Sequence, residues 1–114
     1  VENTSVTEVN INNSKLDENV GAVVGYMTNN AVISAITVTN TNVNADNLVG
    51  GIVGKCDTGS IVNSIINGCS IIATDENPEI GILFGRKGAG TSSGCAVTGQ
   101  TFVNSTAYVN QNVQ

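Results

Sequence analysis

The sequence predicts an all-β fold, namely a short parallel β-solenoid with about three short strands in each coil. Three observations predict it. A glycine-containing pattern of seven residues occurs three times, β-branched residues alternate with polar ones, and Gly and Asn recur between the apolar segments. Alternation with a period near two and an abundance of Val, Ile and Thr are typical of half-buried strands. A repeat of this length is shorter than a propeller blade and lacks the 3.6-residue spacing of helical repeats.

The glycine pattern sets the period of the repeat. It reads VGAVVGY from Val20, VGGIVGK from Val49 and IGILFGR from Ile80, so successive copies begin 29 and 31 residues apart. We expect its two glycines to form two structural columns, Gly21, Gly50 and Gly81, and Gly25, Gly54 and Gly85. Their predicted role is geometric, to allow a sharp turn or a close approach of neighbouring backbones. The Lys and Ser/Thr of a phosphate-binding loop are absent from the pattern.

The similarity continues on both sides of the glycines. Residues 30–43 align with residues 59–72 and 90–103, which places Ile36 beside Ile65 and Val43 beside Ile72, and residues 5–16 fit the same template. The chain is therefore predicted to be a single domain, residues 1–114, of three to four coils with a period of about 27–31 residues. The coil segments are about 1–19, 20–48, 49–79 and 80–114. The usual handedness of parallel connections favours a right-handed β-helix.

Composition narrows the classes of partner. The net charge is −5 with only four basic residues, which argues against nucleic acid and against an anionic membrane surface. No apolar run approaches the roughly 18–20 residues of a membrane span, so membrane insertion is not expected. The three cysteines have no CxxC spacing and the chain has no His, so we expect buried thiols rather than a zinc site, and no cofactor. A start at Val1 without Met or a signal peptide indicates a processed protein or a fragment.

Most of the acidic residues precede the glycine strands. Six of the nine fall at this one corner of the predicted coil: Asp17, Glu18, Asp46, Asp75, Glu76 and Glu79. Stacked coils would bring them into an acidic ridge, and Ca²⁺ prefers clustered carboxylate and carbonyl oxygens. The spacing matches no known calcium loop, so a solvated, solubilising corner is the favoured interpretation and calcium the alternative.

The chain is not expected to be an enzyme. Without His it lacks the commonest general base, and its four aromatic residues are scattered rather than gathered in a sugar-binding groove. The carboxylate pair Asp75 and Glu76 is the one weak catalytic candidate. The basic residues that follow the glycine strands are interpreted as a solvated edge: Lys55, Arg86 and Lys87, with Tyr26 in the same column.

Two features predict contact surfaces. Alternation within the glycine strand leaves one side partly apolar, and we expect Val23, Ile52 and Leu83 to form an outward aliphatic strip. A terminal segment or a neighbouring domain covering this strip is the alternative. The ends of a short solenoid expose unpaired strand edges, and no Pro- or Lys-rich cap is evident at either end. The strand-like segment Thr101–Gln114 is therefore expected to be able to pair with another chain.

The repeat resembles the GLUG repeat. Its best copy is VGGIVGKCDTGSIVNSIINGCSI from Val49, in which residues 51–54 provide the Gly-Ile-Val-Gly core. The other copies have Ala22 and Ile82 in place of the first core glycine, and the resemblance extends from about Val20 to Val103. It implies a secreted or cell-surface microbial protein of the adhesin-like kind, and it brings no catalytic residues.

These observations predict a structural extracellular or cell-surface protein. We expect it to self-associate through its coil ends and apolar strips, as a filament subunit or as a stalk module of an adhesin. Its partner would be further copies of itself or the remainder of a longer surface protein. The alternative is an adhesin module that binds a glycan or a host protein through its corner loops.

Overall fold

The computed structural model describes all 114 residues, and it contains seventeen strands and no helix. Accordingly, it offers no long apolar helix that could cross a membrane. The strands of the first half are β1 (Ser5–Thr7), β2 (Asn10–Asn12), β3 (Val20–Gly21), β4 (Val24–Met27), β5 (Ala31–Ser34), β6 (Thr37–Thr39), β7 (Asn42–Ala45) and β8 (Val49–Gly50). Those of the second half are β9 (Val53–Cys56), β10 (Thr58–Val62), β11 (Ile65–Asn67), β12 (Ser70–Ala73), β13 (Ile80–Gly81), β14 (Phe84–Arg86), β15 (Ala89–Ser93), β16 (Cys95–Val103) and β17 (Thr106–Val113).

The strands stack into a β-solenoid of about three turns, which confirms the predicted fold class. Three narrow sheets contain three parallel strands each, in the orders β3-β8-β13, β4-β9-β14 and β5-β10-β15. A fourth, broad sheet contains β1 and β2, then β6 and β7, then β11 and β12, then β16 and finally β17. The broad sheet therefore extends one strand layer beyond the narrow sheets at both ends of the solenoid.

Residues of similar shape stack in the interior. Val20, Val49 and Ile80 form one column, and Val43 and Ile71 belong to another that Val103 completes. Parallel pairing places each side chain directly above its counterpart in the next coil, about 4.8 Å away, so a column favours one shape. The columns meet in one core cluster of 23 buried residues, most of them aliphatic.

The two glycine columns are in register and close the cross-section of each coil. Val49 and Gly50 pair with Ile80 and Gly81, and Val53 pairs with Phe84 in the neighbouring sheet. A Cβ atom at Gly50 would collide with the carbonyl oxygen of Val53, and one at Gly85 would lie 2.5 Å from the carbonyl oxygen of Gly54. Two stretches of main chain are thus in direct contact. The glycines serve close backbone approach, because none of the six adopts a positive φ.

The predicted alignment downstream of the glycines is confirmed for residues 59–67 with residues 90–98, but it is wrong in register for residues 30–43. Ile65 pairs with Thr37 instead of Ile36, and Val43 pairs with Ile71 instead of Ile72. The cause is a shortened corner in the third coil segment, because Met27 pairs with Cys56 whereas Ala31 pairs with Gly59. The first segment also shifts: Asn10 pairs with Asn42.

The predicted outward aliphatic strip is wrong. Ile52 and Leu83 are 0% and 1% exposed and belong to the core, and Val23 packs against it. The chain bends at Gly51 and Ile52, between β8 and β9, and this bend breaks the two-residue alternation. Val49 and Val53 therefore face the core together with Ile52.

The corners of the broad sheet contain residues in the left-handed conformation, as the recurrence of Asn and Gly predicts. One column contains Ala35, Asn63 and Gly94, with φ between 52° and 65°. Another contains Asn40 and Gly68, with φ of 49° and 66°. Asn and Gly tolerate this region better than other residues do, so each coil can turn sharply without large strain.

The C-terminal segment folds back on its own solenoid. Strand β17 pairs antiparallel with β16 through a tight turn at Asn104, whose φ is 49°. The strand-like segment Thr101–Gln114 is therefore divided between the end of β16 and β17, which pair with each other. The opposite edge of β17 has no partner within the chain.

Replacement of Gly50 by Ala tests the contact between the glycine columns. We expect Gly50→Ala to lower the free energy of unfolding by about 3 kcal/mol or more, because the methyl group must displace main-chain atoms. Gly25→Ala is the matched control, since its Cβ would meet only the carbonyl oxygen of Asn19, at 2.9 Å. The control should lose about 1 kcal/mol. Equal losses in urea denaturation would contradict this account of the columns.

Candidate functional site

The acidic corner does not gather its carboxylates into a metal site. The Asp46 carboxylate accepts a hydrogen bond from the main-chain N–H of Asp17 at 3.2 Å, and the Asp75 N–H donates to the carbonyl oxygen of Asp46. Glu79 forms an ion pair with Arg86 at 2.6 Å. Glu18 and Glu76 are exposed. No group of three His, Cys, Asp or Glu residues is arranged to hold a metal ion.

The basic residues after the glycine strands form a column with Tyr26, as predicted from the repeat. Tyr26 pairs with Lys55, which pairs with Arg86 in the next coil. Asp57 lies beside them: it accepts a hydrogen bond from the Tyr26 hydroxyl and lies 4.0 Å from the Lys55 ammonium group. That hydrogen bond is the main reason why the pKa of Tyr26 is raised. The column is therefore a mixed-charge surface rather than a basic edge.

An amide-lined groove crosses the outer face of the broad sheet near the first coils. It consists of two adjoining concavities of about 380 and 360 Å³ that share Asn12 and Asn44. Asn10 and Asn42 lie in register beside them, and the Asn42 amide donates to the side-chain oxygen of Asn10 at 2.9 Å. The remaining lining residues are Ile11, Asn13, Ser14, Leu16, Val43, Ala45, Asp46, Ser70, Ile72 and Thr74.

The groove can offer hydrogen-bonding groups of both kinds. Each side-chain amide has two N–H donors and an oxygen acceptor, and the amides of Asn12 and Asn44 have no partner within the protein. Exposed Leu16 and Ile72 add apolar surface at its margins. Amides with adjacent aliphatic surface suit a neutral polyhydroxylated ligand, whose hydroxyl groups both donate and accept.

The repeat alignment did not predict the pairing of these amides. Alignment by the glycine pattern placed Asn10 and Asn12 opposite the Thr-rich strand, whereas they lie opposite Asn42 and Asn44. The signal was present in the tripeptides Asn-Ile-Asn and Asn-Val-Asn of β2 and β7. Recognising it requires the first segment to shift by several residues relative to the other copies.

Two of the three buried thiols replace hydroxyl groups at inward corners. Thr41 and Ser64 donate a hydrogen bond to the carbonyl oxygen two residues earlier, and Cys69 and Cys95 do the same at 3.5 Å. The flanking pairs place Cys69 in the column of Thr41 and Cys95 in that of Ser64. These thiols are therefore structural. Burial raises the pKa of both, so they stay protonated and unreactive near neutral pH.

Searches of protein-family models, curated proteins and solved structures find nothing that matches this chain.

The buried thiols give the protein a pH dependence on the alkaline side. Their pKa values are raised on folding, so their contribution to stability is complete below about 8.5, the ordinary thiol pKa, and is lost as the pH rises above it. We expect the free energy of unfolding to decrease by at most about 1.4 kcal/mol per pH unit for each thiol in that range. Urea denaturation at a series of pH values measures this slope.

The control for this experiment is the double variant Cys69→Ser and Cys95→Ser. Serine keeps a donor for the same carbonyl oxygens but does not ionise, so the alkaline loss should become smaller. An unchanged slope in the double variant would mean that other groups cause it.

Proposed function

We propose that this chain is a structural β-solenoid module of a secreted or cell-surface protein, and that it self-associates through the ends of its solenoid. The single observation that supports the proposal best is the set of unpaired strand edges at both ends of the broad sheet. Strands β1 and β2 provide one edge and β17 provides the other. Unpaired main-chain N–H and C=O groups are a ready template for a further strand.

The shape of the ends limits how copies can meet. Because the broad sheet projects one layer beyond the narrow sheets at each end, an approaching copy meets the broad sheet first. If copies stacked end to end, their broad sheets would meet while a gap remained between their narrow sheets. Self-association through the broad sheet is therefore the mode that the geometry favours. The buried positions of Ile52 and Leu83 remove an aliphatic strip as a lateral contact.

The sequence also supports a secreted or cell-surface location. The glycine columns and the central tetrapeptide of the repeat, Gly51-Ile52-Val53-Gly54, resemble the GLUG repeat. That repeat is typical of microbial surface and secreted proteins. The acidic corner and the mixed-charge column lie on the outside of the coils. Such a surface suits a stalk or filament unit that contacts solvent along its length.

Self-association can be measured directly by sedimentation velocity over a wide range of protein concentrations. We expect the mean mass to rise with concentration, and the rise to become steeper in higher salt, because added salt screens the repulsion between chains of net charge −5. Negative-stain electron microscopy of the same samples distinguishes small closed assemblies from filaments. A protein that stays monomeric at every concentration and salt level would contradict the proposal.

The amide-lined groove favours a second function, the binding of a neutral glycan. Its Asn side chains and exposed Leu16 and Ile72 have the chemistry that a saccharide requires, and part of the groove is formed by the corner loop 13–16. In this case the solenoid is the rigid support, and the ligand lies across three successive coil segments.

An NMR titration with neutral oligosaccharides tests glycan binding residue by residue. We expect shifts confined to the groove, and an affinity about five-fold weaker in Asn44→Ala, because one ligand hydrogen bond is lost. Asn112→Ala is the matched control, since Asn112 is an exposed amide of the same sheet outside the groove. Shifts spread evenly over the surface, or equal effects of the two variants, would argue against this site.

A further inference from the structure

The free edge of β17 differs from every other edge of the solenoid. Strands β1 to β15 contain two to five residues each, whereas β17 contains eight, and only β16 is longer. From Asn104 to Gln114 the chain has no charged side chain and no Pro. Short strands, charges, Pro and β-bulges are the usual devices that prevent edge pairing. The first half of β17, residues 106–109, has none of them, and the irregularity of the strand begins only at Asn110, whose φ is 41°.

The opposite end of the broad sheet is protected by those devices. Its strands β1 and β2 contain three residues each and are separated by a residue in the left-handed conformation, Glu8, with φ of 56°. Glu2 and Glu8 also place negative charge beside this edge. In a chain of net charge −5, a second copy is repelled least at the uncharged β17 edge.

The outward hydrogen-bonding groups of β17 can be assigned from its partner strand. The N–H groups of Phe102 and Asn104 donate to the preceding coil, so Thr101 and Val103 direct their main-chain groups toward β17. Thr101 lies opposite Tyr108, and Val103 lies opposite Thr106. By alternation, the N–H and C=O groups of Ala107 and Val109 point away from the solenoid.

The side chains next to this edge are apolar and exposed. Val109 is 49% exposed, and Phe102, on the neighbouring strand, is 42% exposed. Ala107, which lies opposite Phe102, is exposed as well. Exposed apolar side chains together with an unpaired edge mark a surface that pairing would cover.

We propose that two copies of this chain pair through β17 in an antiparallel, two-fold arrangement that makes their broad sheets continuous. A strand that is antiparallel to a second copy of itself is self-complementary, as a two-fold contact requires. With the axis at Tyr108, Ala107 of each copy exchanges hydrogen bonds with Val109 of the other. The Tyr108 side chains then form a cross-strand aromatic pair on the inner face. This inference rests on the proposed self-association and specifies the surface that carries it.

Val109→Lys tests the pairing, with Val32→Lys as the matched control. Val32 is an exposed valine of the outermost strand β5 at the other end of the solenoid, and it is 52% exposed. We expect Val109→Lys to weaken dimerisation at least ten-fold in sedimentation equilibrium, because two ammonium groups would meet beside the two-fold axis, and Val32→Lys to leave it unchanged. Circular dichroism and thermal unfolding verify that both variants remain folded.

Disulfide trapping gives a second, independent measurement. The axis places residue 108 opposite itself in a non-hydrogen-bonded pair, with Cα atoms about 4.5 Å apart, within the range of a disulfide. Tyr108→Cys should therefore give a covalent dimer under mild oxidation, whereas Val32→Cys and the native protein with its three buried thiols should not.

The outcomes separate the two proposals. If the native protein associates but neither Val109→Lys nor Tyr108→Cys has the expected effect, the β17 pairing is wrong and self-association through another surface remains. If the native protein is monomeric throughout, both proposals are wrong.

Discussion

The contact between the two glycine columns is the constraint on which the rest of the structure depends. At Gly50 and Gly85 the main chain lies directly against main chain, with no space for a side chain. Because β8 and β9 can then bend back sharply, Val49, Ile52 and Val53 all point to the interior. The same contact recurs in each coil and fixes the cross-section, so successive coils have equal width and can pair in parallel register. The aliphatic columns of the core follow from that register.

Polar groups inside the solenoid are satisfied by a regular scheme. Where the coil turns inward, a hydroxyl or thiol group donates to the carbonyl oxygen two residues earlier. The hydroxyl groups of Ser64 and Thr101 also accept N–H groups of the preceding coil, from Ile36 and Cys69. These two N–H groups are thus bonded to a side-chain hydroxyl group instead of a carbonyl oxygen of the neighbouring strand. Buried main-chain groups require such a partner. The Ser92 hydroxyl, which continues the column of Ile33 and Ile61, is the one buried side-chain oxygen without a partner.

The two ends of the solenoid differ in how well their exposed strand edges are protected against pairing. The first coil segment has short strands interrupted by left-handed residues and accompanied by carboxylates. The last coil is followed by β17, which covers β16 and then presents an uncharged edge of its own. Because β17 runs antiparallel to β16, it covers the last parallel strand, and no further coil can follow it in the same register. This asymmetry connects the fold to the proposed self-association.

The sequence by itself determined the fold class, the glycine columns and the use of Asn and Gly at the corners. These features recur in every coil, so they can be recognised directly from the repeat in the sequence. Only the tertiary structure decided the register of the broad sheet, because the corner near Gly59 is one residue shorter than its counterpart and an alignment anchored on glycines passes over it. It also decided that Ile52 and Leu83 face the core, since a bend, unlike a straight strand, does not alternate. The amide-lined groove and the β17 hairpin depend on which segments lie side by side. Contacts between segments distant in the chain cannot be read from local periodicity.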